Sequence, residues 1–311
     1  MAYVTTEEGG FEVSISSASA NMKVKVGNYT GDGQNDRPVT GVGFTPCYVL
    51  VYDPTNTGWG SYFKPGIASP YSFNATDASL VYSDKIKAFN TDGFTVGNSY
   101  ANQDQQPYHY LALGIGSSTG QIYSFSHEGD GNDDHSVTDG SMGFTPDFVI
   151  VRGDAAVSVA FSCSELNLGT GSFLPFTNSG IAVVGVKSFI SNGFTLGTSP
   201  LWNNNGTMMY YTALKTTAGM FKFDSYVGTG ETNPISGLGF QPCAVIVKRA
   251  GTSTAMIKTS EHLTTHSTTI GGSGDTTTGI TVLGANGFTV ESDASVNTLD
   301  DTYYWYAFKA N

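Results

Sequence analysis

The chain has 311 residues, and 14 Lys and Arg stand against 26 Asp and Glu, giving a formal net charge of −12. That charge is repelled by a phosphate backbone and argues against direct nucleic-acid binding. Charged residues make up only 13 % and glycine alone supplies 39 positions, against ~25 % charged residues in ordinary soluble domains, so an Ala/Glu/Leu/Lys-rich helical protein is excluded.

Residues 1–21 are Ser-rich and polar, with alternation at Phe11, Val13 and Ile15. They read either as an extra edge strand or as an extended N-terminal arm. The opening MAYVTTEEGGFEVS lacks the basic start and apolar core of a secretory signal. No apolar stretch reaches the ~18 residues of a membrane span. The expectation is therefore synthesis in a cytoplasm without a signal peptide, and no membrane insertion.

From residue 22 the chain repeats itself three times. Val24, Val26 and Tyr29 open the first unit, followed by the polar turn GDGQNDR. Then comes GFTPCYVLV, with Gly43, Phe44 and Pro46, predicting a strand over Tyr48–Tyr52. Proline lacks an N–H and suits the first residue of such a strand. A variable middle leads to a short strand near Ile86 and to TDGFTV, with Gly93 and Phe94. Asp-Gly and Asn-Gly favour positive-φ hairpins, so a tight turn is expected there. The unit closes on YHYLAL from Tyr108.

The second unit runs through GDGNDDH, GFTPDFVIV (Gly143, Phe144, Pro146), SNGFTL (Gly193, Phe194) and MYYTAL. The third runs through GTGETN, GFQPCAVIV (Gly239, Phe240, Pro242), ANGFTV (Gly287, Phe288) and YWYAF. Gly43 to Gly93 and Gly143 to Gly193 are 50 residues apart, and Gly239 to Gly287 are 48 apart. The units span 22–116, 121–215 and 220–311, joined by GSSTG and TTAG. Each is long enough to bury a core of its own without disulfides or metals. Alternating Val, Ile, Tyr, Phe and Thr between Gly/Asn/Asp turns predicts an all-β chain of three tandem antiparallel β-sandwich, jelly-roll-like repeats with little helix. A propeller would need blades of ~40–45 residues, and the two halves of a unit do not match each other.

The candidate chemistry is sparse. Asp130, Asn132 and Asp134 have the D-x-N-x-D opening of a calcium loop, but His135 stands where the loop needs glycine and Ser141 where it needs glutamate. A solvated acidic hairpin turn is the better reading, and no cofactor is expected. His262 and His266 are four apart, in a Thr-rich segment poor in helix formers and without a third ligand. No Gly-x-Ser-x-Gly elbow in a strand–turn–helix context, P-loop or dinucleotide fingerprint occurs, so a non-enzymatic protein is expected. Trp59 and Trp202 lie in polar stretches that vary between units, where an exposed indole would stack on a sugar or anchor a protein contact. Trp305 replaces a His or Tyr of the closing phrase and reads as structural. Cys47, Cys163 and Cys243 show no disulfide spacing and read as buried thiols.

The stretch YTGDGQNDRPVTGVGFTPCYVLV, with DGFTVG and a Tyr-rich closing strand, resembles a module of tailed-bacteriophage virion structural proteins. That module opens on Y-x-G-x-G and G-F-x-P-d-x-V-x-I-K, with D-G-F-x-x-G at its centre. The resemblance covers all three units. Arg152 and Lys248 match its terminal base, whereas Tyr52-Asp53 departs from it, and Cys47 and Cys243 replace the usual acid. It implies binding or assembly rather than catalysis, and location on the virion surface. The partners implied are other virion proteins, the major capsid protein or tail proteins. The first expectation is a capsid decoration or cement protein built as a pseudo-trimer. The alternative is a tail-fibre adhesin, or a carbohydrate-binding module, with a host glycan as ligand.

Overall fold

A computed structural model describes residues 22–55, 62–65, 71–76, 81–116, 121–154, 158–166, 171–272 and 274–311. The N-terminal segment 1–21 and Trp59 lie outside the described residues. Repeat 1 contains β1 (Lys23–Thr30), β2 (Arg37–Thr40), β3 (Pro46–Tyr52), β4 (Tyr62–Pro65), β5 (Ser72–Asn74), β6 (Val81–Tyr82), β7 (Ile86–Asn90), β8 (Gly93–Val96) and β9 (Pro107–Gly114). Repeat 2 contains β10 (Ile122–Glu128), β11 (His135–Thr138), β12 (Phe148–Gly153), β13 (Ala160–Cys163), β14 (Leu174–Pro175), β15 (Val186–Ile190), β16 (Gly193–Leu196), the one-turn helix α1 (Pro200–Asn203) and β17 (Met208–Leu214). Repeat 3 contains β18 (Phe221–Val227), β19 (Asn233–Ser236), β20 (Ala244–Arg249), β21 (Met256–Thr259), β22 (Ser267–Thr269), β23 (Asp275–Thr276), β24 (Ile280–Gly284), β25 (Gly287–Val290), α2 (Ala294–Asn297) and β26 (Thr302–Phe308).

The chain is all-β, and its antiparallel pairing recurs. Large sheets run β1-β9-β3-β4-β5-β6, β10-β17-β12-β13-β14 and β18-β26-β20-β21-β22-β23. Small three-stranded sheets run β2-β8-β7, β11-β16-β15 and β19-β25-β24. In each repeat the first strand pairs with the last and the second with the penultimate strand of the small sheet, the nested pairing of a jelly roll. Beyond the Gly-Phe-x-Pro strand the large sheet continues as a meander. Each small sheet covers one face of its large sheet and closes a sandwich-like core, such as that of Val49, Val51, Phe94 and Tyr110 in repeat 1.

The other face of the large sheets carries a second core, shared by all three repeats. Along β3, Val49 and Val51 point into the core of repeat 1, while Tyr48, Leu50 and Tyr52 enter the shared cluster. In β12, Val149 and Val151 face inward to repeat 2, and Phe148 and Ile150 face the shared cluster. In β26, Tyr303, Trp305 and Ala307 belong to repeat 3, and Tyr304, Tyr306 and Phe308 to the shared cluster. A strand buried on both faces has no polar side to display, which is why Tyr-Val-Leu-Val-Tyr and Phe-Val-Ile-Val read as unbroken apolar runs.

The contacts close a ring. Phe148 packs against Phe221 and Tyr306 at centroid separations of 5.5 and 4.8 Å, joining repeat 2 to repeat 3. Phe73 meets Tyr210 at 5.3 Å and lies under the Arg152 guanidinium, joining repeat 1 to repeat 2. Tyr52 Oη and Thr259 Oγ1 are 3.0 Å apart, joining repeat 3 to repeat 1. At the same seam the Val24 amide donates to Asn311 Oδ1, so the last residue holds the first strand. Each unit buries a core of its own, as expected, and a second core is added between them. A large share of the apolar surface is buried only when three repeats meet. Cys47, Cys163 and Cys243 are buried free thiols on this shared face, and burial pushes each up to about 12.

The two glycine phrases differ physically. Gly43, Gly143 and Gly239 have φ of 86°, 74° and 80°, with open space around Gly43 and Gly239. They serve backbone conformation. Gly93, Gly193 and Gly287 are not the turn residues that the Asp-Gly and Asn-Gly pairs suggest. The two-residue loops are Thr91–Asp92, Ser191–Asn192 and Ala285–Asn286, and each glycine opens the next strand. A Cβ on these glycines would collide with the carbonyl oxygen of Val39, Val137 or Ile235 on the neighbouring strand. The turn residue in front then caps the other phrase: Asp92 accepts from the Gly41 and Gly43 amides, and Asn286 from the Gly239 amide.

Candidate functional site

The polar turns after the first strand of each repeat are organised by a buried asparagine that sequence reasoning missed. In repeat 2, Asn203 Oδ1 accepts from the Asp130 amide at 2.9 Å, and its Nδ2 donates to Asp130 Oδ1 at 3.0 Å and to the Asn132 carbonyl at 2.9 Å. Asn102 makes the same bonds to Asp32 and Gln34, and Asn297 bonds Thr229 and Glu231. All three are fully buried. The signal was present in the sequence: each asparagine stands six residues before the second residue of the closing strand, Tyr108, Met209 or Tyr303. Asn203→Ala strands the Asp130 amide and the Asn132 carbonyl. A loss of about 2–3 kcal/mol is expected in chemical denaturation of the variant against wild type.

The residues of the weak calcium candidate, Asp130, Asn132 and Asp134, are engaged in other bonds. Asp130 Oδ1 already accepts from the Asn132 amide and Asn203, and Oδ2 from Asn132 Nδ2 at 3.1 Å and from His135 Nδ1 at 2.7 Å. The Asn132 amide, first among these donors, holds the Asp130 carboxyl low, at about 2. Asp134 takes φ 59° and turns to Lys187, 2.6 Å away. Asp130 and Asn132 bond each other, while Asp134 is drawn away to Lys187. Among the described residues no group of three or more His, Cys, Asp or Glu is arranged to hold a metal. What the turn does bring together is a pair of imidazoles: His127 Nε2 and His135 Nε2 are 2.9 Å apart.

Trp202 is corrected too. It is 0 % exposed, packed on Phe173 at 5.9 Å in the core of repeat 2, and its carbonyl accepts from Tyr211 Oη. Helix α1 folds the indole back onto its own repeat, so the ring is not available to a sugar or a partner. Trp305 is buried in the core of repeat 3, as read from its place in the closing phrase.

His262 and His266 do not share a helix face. His262 ends in the seam between repeats 3 and 1, stacked on Tyr52 at 5.5 Å and edge-on to His109 at 4.9 Å. His262 Nδ1 accepts from the Thr259 amide at 3.0 Å, so the ring proton resides on Nε2, which has no hydrogen-bond partner. His109 Nδ1 is likewise buried and unpartnered. Burial drives His109 down to about 4 and His262 down to about 3. Asp275 Oδ1 is 3.7 Å from His262 Nε2, beyond hydrogen-bond reach, and burial raises its carboxyl to about 6. His262 is therefore held neutral and forms no ion pair with Asp275. Thr259, His262 and Asp275 succeed one another as hydroxyl, imidazole and carboxylate. Thr259 is wholly buried and its Oγ1 is shared with Tyr52, so no substrate can reach it.

A depression of about 220 Å³ lies at the small sheet of repeat 3, over Pro234, Ile235, Asn286 and Phe288, and is widely open to solvent. No helix among the described residues is long and apolar enough to cross a membrane.

The model of a family described as "Domain of unknown function (DUF7483)" matches residues 17–311, and the chain belongs to that family. No curated protein matches it.

Proposed function

Starting from membership of a family of unknown function, we propose that the protein is a non-enzymatic component of a bacteriophage virion surface, a capsid decoration or cement protein. The observation that carries this reading is the closed ring of three sandwich-like repeats around one shared core. A single chain of this shape presents three similar faces at once and suits a three-fold position of a shell without needing to trimerise. The segments between β3 and β7 and their counterparts differ in sequence from repeat to repeat, which would let three nearly equivalent contacts be tuned separately. The resemblance of all three repeats to a phage virion module points the same way.

The tail-fibre or carbohydrate-binding alternative drew on Trp59 and Trp202. Burial of Trp202 takes away one of these rings.

Immunogold labelling of intact particles in cryo-electron microscopy tests the proposal. Label spread over the head is the expected result. Label confined to the tail tip would overturn decoration in favour of the adhesin, and unlabelled particles would overturn both. Removing residues 1–21 leaves every contact named above in place. The truncated chain is expected to fold and to bind particles at least tenfold more weakly, measured by co-sedimentation.

A further inference from the structure

The acidic turn of repeat 2 carries another kind of donor. We propose that His127 and His135 form a two-imidazole site for a borderline divalent transition ion, with Zn²⁺ as the representative, and that Asp130 is its orienting residue.

Three observations lead there. His135 Nδ1 lies 2.7 Å from Asp130 Oδ2. A carboxylate on Nδ1 fixes the proton there and turns the Nε2 lone pair away from it, the arrangement that supports metal-ligating histidines. That lone pair faces His127 Nε2 at 2.9 Å. Two imidazoles on one tetrahedral zinc, each at 2.0–2.1 Å, have their nitrogens about 3.3 Å apart, so a shift of a few tenths of an ångström admits the ion. The His135 side chain retains 17 % of its surface in solvent, which leaves an entry path and room for water ligands.

The repeats supply an internal control. His127 pairs with Met209 as Tyr29 pairs with Tyr108 and Tyr226 with Tyr303. His135 pairs with Leu196 as Arg37 pairs with Val96 and Asn233 with Val290. In repeat 1 the same two positions hold an Arg37 guanidinium 5.2 Å from the centre of the Tyr29 ring. The scaffold thus builds this corner without histidines, and only repeat 2 places two there. Imidazole donors select zinc, copper or nickel over calcium and magnesium, and the Asp130 oxygens are already committed within the turn. With only two protein ligands the site is a weak one completed by water. An ion bound there would clip β10 of the large sheet to β11 of the small one.

The test is isothermal titration of the full chain, freed of metal by a chelator, with ZnCl₂ at pH 7.5. Wild type is expected to bind one Zn²⁺ and to melt higher in its presence. The double variant His127→Tyr/His135→Arg installs the pair of repeat 1. It should keep its circular dichroism and metal-free melting temperature, lose at least tenfold in zinc affinity and lose the zinc-dependent shift. Asp130→Asn is expected to lose about tenfold. The proposal is overturned if wild type binds no zinc, or if the double variant binds it as well as wild type.

Discussion

Phe148→Ala is expected to destabilise the whole chain, not repeat 2 alone. Phe148 is fully buried and stacks on Phe161 of its own repeat at 5.4 Å. Its other ring neighbours, Phe221, Phe223 and Tyr306, all belong to repeat 3. Truncation leaves a cavity at a seam whose backbone is fixed by ladders on both sides, so collapse into it is limited. A loss of about 3–5 kcal/mol follows from the usual cost of deleting a buried aromatic ring. Against a total of roughly 5–15 kcal/mol, that is a large fraction. Because the shared cluster draws on every large sheet, wild type should unfold in one calorimetric transition, and the variant in one transition at lower temperature. Three separable transitions, with only one moved by the substitution, would show that the repeats are independent and that the shared core carries little energy.

Acid should open the seam between repeats 3 and 1 first. The groups there are His109, His262 and Tyr52, with Asp275, Asp53, Lys258, Glu261 and His266 around them. His109 and His262 are held neutral in the folded chain, down to about 4 and about 3, against 6.5 when exposed. A base with a lowered folded value contributes its full stability above 6.5 and loses it as pH falls toward the folded value, because the unfolded chain takes up the protons first. Asp275 acts in the opposite sense. Raised to about 6, it takes up a proton in the folded state before the unfolded one and offsets part of the loss. Two histidines against one carboxyl leave a net loss on the order of 4 kcal/mol between pH 7 and pH 4. The other repeats again supply the control: Tyr210 and Tyr304 occupy the position of His109 in the register, and Leu166 follows Cys163 as His262 follows Thr259. His109→Tyr/His262→Leu should lower the midpoint of acid unfolding by about one pH unit or more, read by circular dichroism. An unchanged midpoint would place the acid-sensitive step elsewhere.

Much of the fold could be read from local pattern. The strands at Tyr48–Tyr52, Phe148–Arg152 and Ala244–Lys248 were legible because side-chain alternation and turn chemistry act over a few residues. The burial of both faces was implicit in their unbroken apolar runs, but the identity of the second face was not, since it is formed by residues 70 to 200 positions away. The glycine of Asn/Asp-Gly-Phe-Thr was recognised for the wrong reason. Its constraint is a carbonyl on a neighbouring strand, which no local propensity reports. Asn102, Asn203 and Asn297 were overlooked because an asparagine near a turn looks like ordinary turn composition. Only its hydrogen bonds across some 70 residues distinguish it.

The sequence by itself determined the strand period, the threefold recurrence and the all-β class, because these rest on spacing and on what each side chain permits its own backbone. Tertiary structure alone decided that the repeats close on one shared core, that Trp202 is an interior ring rather than a surface contact, and that His262 meets His109 rather than His266. Those outcomes depend on which distant faces come together to exclude water, and that is a property of the assembled sheets.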